Sequence, residues 1–87
     1  MMKELKSDDQ GVIDFLFIDL DIALTFMDVA RTTEFRDTAE RNHRNAKAAY
    51  NTVLSKLPEA RPTHAQRVQL EQKLAVLRGR LEAVGQL

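Results

Sequence analysis

Residues 12–30 read VIDFLFIDLDIALTFMDVA, and fourteen of these nineteen residues are apolar while four are aspartate. A helix turns about 100° per residue, and on that wheel Asp14, Asp21, Thr25 and Asp28 fall into one narrow polar stripe. The three stripe aspartates are seven residues apart, so every second turn returns to the same line. The run FLFI breaks the alternation that a half-buried strand requires. The stretch is therefore read as a long helix whose apolar arc covers more than half its circumference. That is wider than the stripe of a helix with one buried face, so other helices must cover it on two sides.

The rest of the chain has to supply that cover within 87 residues, which allow one domain. A chain of this size buries only about 60–65% of the surface its unfolded form exposes, so close packing or association must support it. Three glycines and two prolines suit long helices and short loops, and the lack of cysteine removes disulfides and thiolate metal sites. The opening residues do not follow the pattern of a secretory signal. The four aspartates of residues 12–30 argue against spanning a membrane, because each costs about 2.5–3.5 kcal/mol at a bilayer centre on insertion scales. A soluble, cytoplasmic protein is expected. Net charge is zero, yet residues 1–40 carry ten acids and four bases, and residues 41–87 carry three acids and nine bases. The expected use of this asymmetry is docking of the two halves in one bundle. A basic face for nucleic acid is the alternative, although such modules usually carry a net positive charge.

Taken in order, Ser7-Asp-Asp-Gln10 has the spacing of a capping box, which predicts a flexible tail over residues 1–7 and a first helix over about 8–32. Asp19 stands among Phe15, Ile22, Ala23 and Phe26 within the apolar arc. An unpaired carboxylate buried there is costly, so it is expected either to find a donor or to sit where the arc is split between two neighbours. RTTEFR, residues 31–36, reads as a connection. Asp37, with Glu40 three residues on, then starts a second helix over about 38–57. Its inner stripe is Ala39, Ala46, Ala49 or Tyr50, Val53, Leu54 and Leu57, and the alanines allow close approach to a bulky neighbour. Pro58 ends that helix. Thr63-His-Ala-Gln66 repeats the capping box and opens a third helix over about 64–84, with Leu70, Leu74, Leu77, Leu81 and Val84 as its seam and Gly85 as its stop. The predicted fold is all-α: an antiparallel three-helix bundle with short loops. In that registry Asp19 is level with Ala49 and Tyr50, and a buried Asp19–Tyr50 hydrogen bond is expected.

Few residue patterns point to chemistry. Glu40-x-x-His43 has the spacing of a di-iron bundle motif, but such a site needs two copies and two further carboxylates. Arg41, Arg44 and Lys47 recur at intervals of three and could grip phosphates. No aromatic residue stands among them to stack on a base, and Glu40 and Arg44 have the spacing of an ordinary helical ion pair. His64 sits at a helix start, where a loop role is expected. No nucleophile triad, phosphate loop or carboxylate pair is present, so no enzymatic activity, metal or cofactor is expected.

Ala46, Tyr50, Val53 and Pro58 are spaced as in the second helix of a tetratricopeptide repeat, which this segment resembles; Val53 replaces a small residue, and the first-helix Trp, Leu-Gly and Tyr pattern is absent. The last helix, L-x-x-K-L-x-x-L-x-x-R-L, is similar to that of microtubule-interacting-and-trafficking bundles. Both resemblances imply a protein-interaction module that binds peptides in grooves between helices. Coverage of the first helix leads the same way. Phe17, Ile18 and Leu24 edge its apolar arc beside the acidic stripe and are the residues expected to stay uncovered. They predict an interface with a second copy, as a homodimer, or with another protein or peptide.

Overall fold

The computed structural model describes the backbone of residues 2–87 and the side chains of residues 10–87. Among the described residues there are three α-helices and no strand: α1 (Met2–Thr32), α2 (Arg36–Lys56) and α3 (His64–Ala83), with a short 3-10 turn at Leu57–Glu59. α1 begins at Met2, six residues before the start that the Ser7 spacing predicted, so residues 2–7 are helical backbone where a tail was expected and Ser7 lies inside the helix rather than at its cap. Gln10 is described, and its amide donates to Asp14 at 2.8 Å rather than reaching back along the chain.

α2 begins two residues earlier than its sequence signal. Phe35 is the N-cap, with extended backbone and no side-chain cap, and Asp37 lies inside the first turn. The turn between α1 and α2 is only residues 33–35, where the Phe35 amide donates to the Thr33 hydroxyl at 3.2 Å. A turn that short closes before Asp37 can act as the cap. Asp37 still meets the positive end of the helix dipole.

α3 follows its signals closely. The Thr63 hydroxyl accepts from the Gln66 amide at 3.2 Å, and the Gln66 side chain accepts from the Thr63 amide at 2.8 Å, a complete capping box. At the other end Gly85 takes φ +78°. The Gln86 amide reaches the Leu81 carbonyl at 2.9 Å, and the Gly85 amide reaches Glu82 at 3.1 Å. This is a Schellman stop, which needs a residue tolerant of positive φ at Gly85.

The core is wholly apolar. α1 contributes Ile13, Leu16, Leu20, Ala23 and Met27, α2 contributes Ala46, Tyr50 and Val53, and α3 contributes Leu70, Leu77 and Leu81. No charged or polar side chain is buried among the described residues. α1 packs chiefly on α2, where the small Ala46 lets the two backbones approach. Leu54 and Val84, expected on inner stripes, are instead exposed.

The charge asymmetry is used inside the bundle. The Lys73 ammonium donates to Asp21 at 2.7 Å, and the Arg80 guanidinium donates to Asp28 at 3.0 Å. Both partners advance by seven residues, so α1 and α3 run in the same direction with the acidic stripe of α1 bordering α3. Both pairs are largely exposed and stabilise by about 0–1 kcal/mol each. They mark the side of α1 on which the third helix lies.

Candidate interaction surface

Helical spacing decides which α1 side chains can share a face. The buried residues Ile13, Leu16, Leu20, Ala23 and Met27 make one stripe. Phe15, Ile18, Ile22 and Val29 make a second, with exposures of 41%, 58%, 45% and 40%. At 100° per residue the two stripes are centred roughly 150° apart. The second stripe has heptad order: Phe15, Ile22 and Val29 are seven apart, and Ile18 lies between them, with Thr25 seven residues further on. Scattered exposed apolar residues are ordinary, but a continuous row along a helix is the pattern of a binding face.

This placement differs from the exposure expected at the edges of the arc. Ile18 is exposed, as expected, but Phe17 and Leu24 are half-buried and pack against the core. α3 meets the acidic stripe through Lys73 and Arg80, and of the two arc edges that border this stripe the one with Phe17 and Leu24 is the covered one. The edge on the other side of the stripe is left open, and Phe15, Ile22 and Val29 join Ile18 there. Full use of the seven-residue periodicity would have found them, because they repeat in step with the aspartates one residue before each.

Asp19 lies at the boundary between the two stripes, half-buried. Partial burial raises its carboxyl pKa above the ordinary value through desolvation. The side-chain hydrogen bonds among the described residues include none between Asp19 and Tyr50. Tyr50 instead lines a groove of about 290 Å³ with Leu54, Glu71, Leu74, Ala75 and Arg78, so it is turned towards α3. Asp19 takes the other course open to it, a place where the apolar arc is split and water still reaches the carboxylate.

Two further hollows lie where the end of α1, the start of α2 and the end of α3 meet. Met27, Ala30, Ala83 and Val84 form the apolar lining of a cavity of about 400 Å³, edged by Arg31, His43 and Arg80. Arg31 lies 3.8 Å and Arg80 3.0 Å from the same Asp28 carboxylate, so both cations are already engaged with one acid. A shallower hollow joins Arg36, Glu40, His43 and Arg44. Arg41 and Arg44 are exposed and Lys47 is half-buried. The Glu40–Arg44 ion pair suggested by spacing is not among the pairs formed by the described residues. No three His, Asp or Glu side chains among the described residues come together to hold a metal ion, so Glu40 and His43 gain no further ligands. No helix among the described residues is long and apolar enough to cross a membrane.

No protein family, characterised protein or solved structure matches the chain.

Proposed function

We propose that this chain is a small helical protein-interaction or assembly module, an antiparallel up-down-up bundle whose working surface is the outer stripe of α1. One observation carries the reading: Phe15, Ile18, Ile22 and Val29 stand in heptad order on the side of α1 away from the core, and each is at least 40% exposed. A row of this kind fits a helix laid along it, with side chains meeting as knobs in holes. The occupant is a second copy, as the sequence suggests, or a helix of another protein. The reading needs no cofactor and no reaction. The test is a titration of isotope-labelled protein with a leucine-seamed helical peptide, followed by nuclear magnetic resonance. Resonances of Phe15, Ile18, Ile22 and Val29 are expected to shift, while those of Leu16 and Leu20 stay in place. A titration that moves only residues at the end cavity, such as Met27 and Val84, overturns the assignment of the surface.

A further inference from the structure

We infer that the outer stripe of α1 takes a basic amphipathic helix from another protein and is built against pairing with a second copy of itself. The inference rests on the interaction reading above and identifies the partner's chemistry.

The residues flanking the apolar row carry the argument. With Phe15, Ile22 and Val29 at one core position of the heptad and Ile18 at the other, Asp14, Asp21 and Asp28 occupy the flank on one side, and Asp19 begins the flank on the other. Flanking charges of a helix pair choose its partner and its direction. In a parallel pair of copies, each flanking residue meets the one five positions on in its partner. Asp14 then faces Asp19 of the second copy, and the contact occurs twice. In an antiparallel pair the same flanks meet, and the row of Asp14, Asp21 and Asp28 lies along its own copy. Both directions set like charges together at a desolvated seam.

Neutralisation within the chain does not remove the problem where the row is most exposed. Asp21 and Asp28 are held by Lys73 and Arg80 of α3. The same offset of 52 residues from Asp14 leads to Gln66, which carries no charge and whose side chain is taken by the Thr63 capping box. Among the described residues neither Asp14 nor Asp19 has a cation partner. These two acids bracket Phe15 and Ile18, and Ile18 is the most exposed member of the row. A partner with lysine or arginine on both flanks converts each of these repulsions into attraction.

The test uses two labelled peptides of about three heptads, both with leucine at the core positions. One carries lysine at every flanking position and the other glutamate. Each is titrated with the full chain by fluorescence anisotropy at low and high salt. The lysine peptide is expected to bind about tenfold more tightly, with the advantage shrinking as salt screens it. Reversal of the preference in the double variant Asp14→Lys, Asp19→Lys is expected, as is loss of both peptides with Ile22→Glu, its helical signal kept. Equal affinity for the two peptides, or a preference that the double charge variant leaves unchanged, overturns the basic partner while keeping the surface. A dimer in sedimentation equilibrium that Ile22→Glu dissociates overturns it in favour of a second copy. Failure of both peptides, with no dimer, overturns the surface itself and the inference with it.

Discussion

The inner and outer faces of α1 are close in composition and opposite in fate. Leu16, Leu20 and Met27 on one face, and Phe15, Ile18 and Ile22 on the other, are large apolar side chains on the same turns of the same helix. The first three are at most 5% exposed and the others are 41–58% exposed. Hydrophobicity alone therefore does not select the core face of a helix this apolar. The neighbours select it: Ala46 offers α2 as a close surface, and α3 lies beside the acidic stripe, where Lys73 and Arg80 meet Asp21 and Asp28.

The largest expected effect separates the two faces directly. Leu20→Ala should destabilise by about 2–5 kcal/mol, since a fully buried leucine leaves a cavity, whereas Ile22→Ala should stay within about 0.5 kcal/mol. Urea unfolding of both variants checks this, and equal losses would mean that the outer face is already covered in solution. Next, Ala46→Leu should cost about 1–3 kcal/mol by forcing α2 away from α1, while Ala48→Leu, at an exposed position of the same helix, should cost little. Similar midpoints for the two would show that close approach at Ala46 does not define the inner face.

The exposed ion pairs are expected to matter less. Lys73→Ala and Arg80→Ala should each lower stability by about 0–1 kcal/mol, an effect that fades at high salt. If they orient α3, as the seven-residue step suggests, the double variant should also lower amide-exchange protection of Leu70 and Leu77. Unchanged protection would separate the placement of α3 from its charges.

The smallest effects lie at the boundary between the faces. The raised carboxyl pKa of Asp19 means that the folded state holds its proton to higher pH than the unfolded chain. Its contribution to stability is therefore fully present below the unfolded value of about 3.8 and is lost as pH rises through the folded value. Asp19→Asn should flatten that part of the stability–pH curve, and denaturant midpoints between about pH 3 and 6 would show it. Tyr50→Phe, with no Asp19 bond to lose, should change stability by about 0.5 kcal/mol or less. A loss of about 1–3 kcal/mol would restore the buried pair.

Local signals in the sequence located the elements. Thr63 and Gln66 cap α3 as their spacing predicts, Gly85 stops it, and Pro58 follows the end of α2 by two residues. These signals are legible because the partners lie within five residues of one another. The exposed row of α1 was only partly legible. Ile18, Phe17 and Leu24 all edge the apolar arc, yet only Ile18 is exposed, because nothing local shows which edge a neighbouring helix will cover.

By itself the sequence determined that the chain is helical, that three helices form, and that the first carries more apolar surface than one neighbour can cover, because periodicity and caps act within a few residues. Only the tertiary structure decided which part of that surface is core. The choice depends on contacts 52 residues apart, from Asp21 to Lys73 and from Asp28 to Arg80, and on the turn at residues 33–35 that brings α2 against α1. With α3 on one side of the acidic stripe, the apolar row on its other side stays bare, and among the described residues Asp14 and Asp19 have no cation beside them.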